Sequence, residues 1–297
     1  MEEILMLGAI EAGGTKFVCA VGDESGKIIE RIQIPTTVPE ETMVSVIQFF
    51  KKYPIRAIGI GSFGPIDVNS DSPTYGYITS TPKLAWKDYP FVQNIQEAFS
   101  VPVGFNTDVN AAALGEATFG AAKGLDSCLY MTIGTGIGAG AIVQGQLLQG
   151  LSHPEMGHIL VRRYPNDFYK GKCPYHHDCF EGLAAGPGIE ERWGEKGNNL
   201  VDRAEVWDLE GFYIAQALMQ YILILSPKKI ILGGGVMNQR QVFSYVYKYL
   251  PELINNYVSL PDLSDYIVSP GLGDHAGITG SLMLAYQALQ NEKTVTK

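Results

Sequence analysis

Short apolar stretches alternate with glycine-rich turns along the chain, and one such arrangement occurs twice. In the first half the turn EAGGTK lies between ILMLGAI and FVCAVG, and in the second half TIGTGIGAG lies between CLYM and AIV. Glycine allows positive φ and lets a ligand approach bare backbone amides. The pattern therefore predicts strand, tight turn and strand in both halves.

Apolar periodicity predicts the remaining elements. These are a strand over 27–35, a helix over 40–51, a strand over 56–64, a helix over 91–99, a strand over 101–108, helices over 110–120 and 204–225, a strand, glycine turn and helix over 228–239, and a helix over 275–289. The apolar face predicted for the helix over 40–51 consists of Met43, Val44, Ile47 and Phe50. This order favours mixed sheets flanked by helices, and its repetition indicates a duplicated α/β architecture with a cleft between the halves.

Composition excludes several classes of function. The chain has 297 residues, 46% hydrophobic and 18% charged, which is typical of a folded protein of two domains. Its 22 basic and 31 acidic residues give a net charge of −9 without a basic cluster, which disfavours nucleic acid as a partner. No apolar run approaches the roughly 20 residues of a membrane span. The acidic N-terminus does not resemble a signal peptide, so we expect a cytoplasmic protein without a membrane partner.

The two glycine turns are candidate phosphate-binding sites. A concave row of backbone N–H groups suits phosphate oxygens, and the threonine hydroxyls add donors. Each turn alone is also compatible with an ordinary hairpin. Neither matches the Walker pattern or the dinucleotide fingerprint. The third glycine run, Gly233 to Gly235, is also compatible with a plain connection between strand and helix.

A group of cysteines and histidines predicts a metal site. Cys173, His176 and Cys179 lie within seven residues, and His158 lies 15 residues upstream of Cys173. Two Cys and two His suit a closed, tetrahedral structural zinc site. His177 is an alternative to His176, and unligated thiols on a surface loop are an alternative to zinc. Cys19 and Cys128 lie in apolar strands and are expected to be buried thiols, since cytosolic chains rarely form disulfides.

Further motifs accompany the two glycine turns, and together they follow the order found in a known protein family. They cover most of the chain and are GSFGPID, STPKLAW, NTDVNAAALGE, HPEMGH, CPYHHDCFEG, AAGPGIE, ILGGGVMN and GDHAGITGS. The chain resembles the ROK sugar kinases, most closely their fructokinase branch. The resemblance implies an α/β, two-domain actin-like ATPase (ribonuclease H-like) fold with an interdomain active-site cleft. We expect a smaller domain from 1–108 plus about 275–297, and a larger domain from 109–274 that contains a zinc-binding insertion at about 150–182.

Asp108 is the candidate catalytic base, because it ends a strand and begins a helix. Local sequence alone favours a helix N-cap at this position. The resemblance implies that Asp108 accepts the proton of the attacking sugar hydroxyl, with Asn106 and Asn110 orienting the sugar and the loop. Thr107 stands where many family members have Asn. The implied sugar-binding residues are Gly64, Pro65, Asn106, Thr107, Asp108, Glu155, His158 and Glu181, although Glu155 and Glu181 are also compatible with ordinary surface carboxylates.

The resemblance also implies Mg-ATP as the phosphoryl donor. Glu11 stands where the family usually has Asp and would help to position hydrated Mg²⁺. Gly13, Gly14, Thr15 and Lys16 would face the γ-phosphate, and Thr132, Gly134, Thr135 and Gly136 the other phosphates. The adenosine site would comprise Pro187, Gly233, Gly234, Gly235, Val236 and Asn238.

The implied function is ATP-dependent phosphorylation of the 6-hydroxyl of fructose by a homodimer that contains structural zinc. Related kinases often use three Cys and one His for this metal. A mannose, glucose or N-acetylmannosamine kinase is the alternative within the family. A sugar-responsive repressor of the same family is disfavoured. It would need a DNA-binding segment before the first glycine turn, and that turn begins at about residue 11. A non-catalytic sugar-binding protein is disfavoured because Asp108 and both glycine turns are intact.

Overall fold

The computed structural model describes residues 5–295. In this range the strands are β1 (Leu7–Ala12), β2 (Lys16–Gly22), β3 (Ile28–Pro35), β4 (Ala57–Ser62), β5 (Tyr77–Ile78), β6 (Tyr89–Pro90), β7 (Val103–Thr107), β8 (Cys128–Ile133), β9 (Ile137–Val143), β10 (Gln146–Leu147), β11 (Ile230–Gly233) and β12 (Ile267–Val268). The helices are α1 (Pro39–Phe50), α2 (Phe91–Phe99), α3 (Asp108–Thr118), α4 (Phe180–Ala184), α5 (Gly186–Trp193), α6 (Ala204–Leu225), α7 (Gln241–Ile254), α8 (Leu263–Tyr266) and α9 (Ala276–Val295).

The first compact unit contains the described residues 5–124, 147–154 and 271–295. Its sheet has the order β3-β2-β1-β4-β7. β1 pairs antiparallel with β2 and parallel with β4, and β4 pairs parallel with β7. The predicted hairpin around the first glycine turn is therefore confirmed, and it continues directly into a parallel sheet.

Helix α1 forms where predicted, but its predicted apolar face is wrong in part. Met43 and Phe50 are buried, whereas Val44 is 52% exposed. Val46 and Phe49 take part in the core instead. The sequence of α1 is apolar around much of its circumference, so periodicity alone did not fix which stripe faces the sheet.

Helices α3 and α9 approach each other closely in the first unit because glycines lie at the contact. A Cβ at Gly280 would lie 1.6 Å from the Ala111 carbonyl oxygen, and one at Gly115 would lie 2.4 Å from the Ala276 carbonyl oxygen.

The fully buried Glu116 near the end of α3 is satisfied by backbone donors. It accepts hydrogen bonds from the N–H groups of Ala121, Gly271 and Leu272 at 2.6–3.0 Å.

The second compact unit contains residues 125–146 and 155–270. Its sheet has the order β10-β9-β8-β11-β12, with β8 antiparallel to β9 and parallel to β11. The two sheets thus share one topology, a hairpin edge followed by parallel strands, which confirms the predicted duplication. Helix α6 has the predicted bounds and buries Trp207, Tyr213 and Leu218.

Two predicted helices differ in extent. After β11 the chain makes a short 3₁₀ turn at Val236–Asn238, and α7 begins only at Gln241. Helix α9 continues to Val295, beyond the predicted end at residue 289. Within residues 5–295, no helix combines the length and apolar character that crossing a membrane requires.

Candidate active site

The first glycine turn joins β1 to β2 and is fixed from outside the hairpin. The Gly13 N–H donates to the Lys16 carbonyl at 3.1 Å. Thr36 holds the other side, because its hydroxyl donates to the Gly13 carbonyl at 2.7 Å and its N–H to the Thr15 carbonyl at 3.0 Å. Thr15 and Lys16 are exposed. The turn therefore presents backbone and side-chain donors on a rigid frame, as phosphate binding requires.

Glu11 lies at the end of β1 with one oxygen buried. Its Oε2 accepts no hydrogen bond from the described residues. Burial raises the pKa of Glu11, while the charges of Arg31 and Lys16 oppose that rise. A Cβ at Gly277 would lie 2.7 Å from the Glu11 carboxyl carbon, so glycine at this position leaves room for the longer acidic side chain. A buried carboxylate oxygen without a protein donor fits a Mg²⁺ ion or one of its water ligands.

Asp108 is the first residue of α3, and the N-cap is its neighbour Thr107. The Thr107 hydroxyl accepts from the Asn110 N–H at 3.1 Å. The N-cap alternative for Asp108 is therefore wrong. Asp108 is half-buried, and its Oδ1 accepts from the Val109 N–H at 2.8 Å.

Two asparagines lie close to Asp108 in the chain, Asn106 near the end of β7 and Asn110 in the first turn of α3. Asn106 Oδ1 accepts from the Thr107 N–H at 2.9 Å and from Asn110 Nδ2 at 2.8 Å. Asn110 Oδ1 is buried without a hydrogen-bond donor among the described residues. A ligand hydroxyl at this oxygen would supply the missing donor, since buried acceptors are normally paired.

The loop with Gly64 and Pro65 follows β4. Thr79 donates two hydrogen bonds to the Pro65 carbonyl, from its N–H at 2.8 Å and its hydroxyl at 3.0 Å. The Ile66 N–H donates to His153 Nε2 at 3.0 Å, and His153 is 8% exposed. Burial lowers the pKa of His153, which keeps the ring neutral and able to accept. His153 was not predicted from the sequence, because its partner lies 87 residues away.

Removal of the His153 imidazole should destabilise the protein. We expect His153→Leu to lower the free energy of unfolding by about 1–3 kcal/mol, because the Ile66 N–H would stay buried without an acceptor. His153→Gln should lose less, because Oε1 of Gln can take the place of Nε2. Urea unfolding of both variants tests this, and equal stability of the two would contradict it.

The second glycine turn joins β8 to β9 and contacts the first residue of α5. The Gly134 N–H donates to the Gly136 carbonyl at 2.9 Å, and the Gly186 N–H donates to the Gly134 carbonyl at 2.7 Å. Glu181 Oε2 accepts from the Ile137 N–H at 2.9 Å. Its other oxygen lies 3.9 Å from His158 Nε2. Glu181 thus connects this turn to the cysteine–histidine group. Glu155 is exposed and lies within electrostatic reach of His158 and Glu181.

A cavity of about 610 Å³ opens beside the second turn, a size suited to a small-molecule ligand. Predicted residues that line it are Thr132, Gly134, Thr135, Pro187, Gly234, Gly235 and Val236. Lys196, Asn198, Trp207 and Gln239 also line it and were missed, because no motif marks them. Gly136, Gly233 and Asn238 are not among the described lining residues.

The structure brings His158, Cys173, His176 and Cys179 together, with their ligand atoms within 4.8 Å of one another. His158 Nδ1 lies 3.6 Å from each of the two Sγ atoms, and His176 Nδ1 lies 3.8 Å from Cys173 Sγ. Tetrahedral zinc with ordinary bond lengths separates S and N ligands by about 3.6 Å. The donor set therefore fits zinc. Both cysteines are buried, free thiols.

His176 joins this cluster, and His177 does not. His177 has a φ of +50°, and its N–H donates to the Cys173 carbonyl at 3.0 Å. Its backbone thus closes the turn that brings His176 towards Cys173. Cys19 and Cys128 are fully buried, as predicted.

Duplicated mixed sheets, each with a glycine turn in its first hairpin, define a protein of the actin-like α/β class. A family model described as "ROK family" matches residues 7–288, and the chain belongs to this family. It is 67% identical to the "Putative fructokinase" of Bacillus subtilis (strain 168) over 97% of each chain. It is 50% identical to the fructokinase of Pediococcus pentosaceus over 97% of this chain and 100% of that one.

The solved structure of a ROK hexokinase from Thermus thermophilus has a TM-score of 0.79 to this chain. The identity is 24%, and the match covers 96% of this chain and 99% of that chain. This likeness confirms the predicted actin-like fold.

Proposed function

We propose that the protein is an ATP-dependent fructokinase that transfers the γ-phosphoryl group to the 6-hydroxyl of fructose. The start of α3 carries the proposal: Asp108 is half-buried, and Asn110, two residues further on, has a buried Oδ1 without a donor among the described residues. The identities of 67% and 50% to proteins named as fructokinases support fructose as the acceptor.

Asp108 accepts the proton as the sugar oxygen attacks phosphorus. The new O–P bond forms while the bond from phosphorus to the bridging oxygen of ADP breaks. The Asn110 oxygen accepts from a sugar hydroxyl and so orients the acceptor. The first glycine turn donates hydrogen bonds to the γ-phosphate, and the second turn to the other phosphates. Glu11 would help to position hydrated Mg²⁺, which would neutralise phosphate charge when it is bound.

The cluster of His158, Cys173, His176 and Cys179 would hold a structural zinc ion. Its function is to order the insertion at 150–182, which carries the carboxylates proposed for sugar hydroxyls, Glu155 and Glu181. The bond from the Ile137 N–H to Glu181 supports this assignment, because it joins the end of the insertion to the second glycine turn. We also propose the homodimer that the family resemblance implies, and light scattering tests it directly.

An ADP-release assay with Mg-ATP and a panel of fructose, mannose, glucose and N-acetylmannosamine tests the function. We expect the highest kcat/KM with fructose. Preference for another hexose would keep the phosphoryl-transfer chemistry and overturn the acceptor. Absence of turnover with every sugar, in protein shown to contain zinc, would favour a non-catalytic sugar-sensing role.

A further inference from the structure

Lys83 lies on the first glycine turn, although it comes from the distant segment STPKLAW. A Cβ on Gly14 would lie 2.8 Å from Lys83 Cε and 3.7 Å from Lys83 Nζ. Glycine at position 14 therefore makes room for the lysine side chain. The ammonium group lies beside the backbone donors that the proposed function assigns to the γ-phosphate.

The backbone of Lys83 is anchored in the hydrophobic core. Lys83 precedes a 3₁₀ turn at Leu84–Trp86, and the Trp86 N–H donates to the Lys83 carbonyl at 2.8 Å. Trp86 is 1% exposed, and its ring centroid lies 5.1 Å from that of Phe17 on β2. Its indole N–H donates to the Thr37 carbonyl at 2.7 Å. A core tryptophan thus fixes where the lysine side chain begins.

The same short segment also fixes the glycine turn. Thr36 donates hydrogen bonds to the carbonyls of Gly13 and Thr15. The carbonyl of the next residue, Thr37, accepts the hydrogen bond from the indole N–H of Trp86. The position of Lys83 relative to the turn is therefore set by two adjacent residues at the end of β3. Such preorganisation is what electrostatic stabilisation of a transition state requires.

Among the described residues, the charge of Lys83 has no oppositely charged partner. No ion pair joins Lys83 to a carboxylate among the residues that the structure describes. Lys83 is half-buried, so the cost of partial desolvation is best offset by an anionic ligand. A phosphoryl group on the adjacent turn provides that charge.

We propose that Lys83 is a further catalytic residue whose ammonium group donates hydrogen bonds to a non-bridging oxygen of the transferred phosphoryl group. The proposal rests on the proposed function. Lys83 keeps its protons throughout, since the proton of the sugar hydroxyl goes to Asp108. Its charge stabilises the negative charge on the phosphoryl oxygens while one O–P bond forms and the other breaks.

Steady-state kinetics of Lys83→Met tests the proposal, with Lys87→Met as the matched control, because Lys87 is an exposed lysine of the same segment. We expect Lys83→Met to lower kcat by about 10²–10³-fold, the range for loss of one preorganised donor. The KM for fructose should change little. Lys83→Arg should recover part of kcat because it keeps the charge, and Lys87→Met should behave as the wild type.

Nucleotide binding provides a test that needs no turnover. Calorimetric titration with Mg-AMPPNP and with Mg-ADP should show that Lys83→Met weakens binding of AMPPNP much more than of ADP, because only AMPPNP carries a γ-phosphate. This selective loss would support the contact even if the wild type phosphorylates no hexose, an outcome that defeats only the proposed function.

Three outcomes would overturn the assignment. One is a Lys83→Met enzyme as active as Lys87→Met, and another is equal weakening of AMPPNP and ADP. The third is a raised KM for fructose with kcat unchanged, which would place the ammonium on the sugar instead. If Lys83→Met fails to fold by circular dichroism, Lys83→Gln takes its place with the same expected results.

Discussion

Asp108→Asn should lower kcat by about 10²–10⁴-fold, the usual contribution of a general base, and should leave fructose binding largely intact. The amide has almost the same shape as the carboxylate, and its oxygen can still accept from the Val109 N–H. It cannot take a proton from the sugar hydroxyl. The N-cap of α3 is Thr107, so the substitution leaves the helix start unchanged.

The measurement combines kcat from the ADP-release assay with fructose affinity from calorimetry. Asp71→Asn is a suitable control, because Asp71 is an exposed carboxylate of the same unit outside the proposed site. Asp108→Ala should be equally inactive. An Asp108→Asn enzyme with substantial turnover would defeat the mechanism, and parallel loss of fructose binding would make Asp108 a binding residue only.

The sequence predicted most of the fold because its strands have distinctive boundaries. Both hairpins have glycine at the turn and mostly buried strands on each side, so few alternative registers satisfy the pattern. Helix α6 was predicted to the residue, since its apolar run ends at Ser226 and Pro227. Helix α1 was harder, because apolar residues lie on several of its faces and only the tertiary contact selects Val46 over Val44.

The candidate site was predictable where its residues are contiguous and not where they depend on tertiary contact. The glycine turns and the Cys173 to Cys179 segment are local motifs. The bond between His153 and Ile66, the position of Lys83 on Gly14 and the space that Gly277 leaves for Glu11 join distant segments. No local pattern marks such pairs. The choice between Thr107 and Asp108 as N-cap likewise depended on one residue of helix register, which propensity does not resolve.

Removal of metal should destabilise the second unit and weaken fructose binding. Structural zinc in zinc-finger peptides contributes about 10–16 kcal/mol. Loss of about a quarter of this, ~3 kcal/mol, would lower Tm by about 6–12 °C at roughly 2–4 °C per kcal/mol. Scanning calorimetry before and after chelation, with metal content from mass spectrometry, measures the effect. Unchanged Tm and fructose affinity in verified metal-free protein would rule out this coupling.

The adjacent histidines provide a matched test of the ligand assignment. His176→Asn should lose zinc and fructose affinity, whereas His177→Asn should keep both, because Asn tolerates the left-handed backbone at position 177. Equal zinc loss in both variants would contradict the assignment of His176.

The effect of zinc loss should extend to the nucleotide, because Glu181 lies two residues after Cys179 and accepts from the Ile137 N–H beside the second glycine turn. A zinc-depleted enzyme should therefore show a raised KM for ATP as well as for fructose, whereas a zinc site that orders only the surface insertion would leave the KM for ATP unchanged.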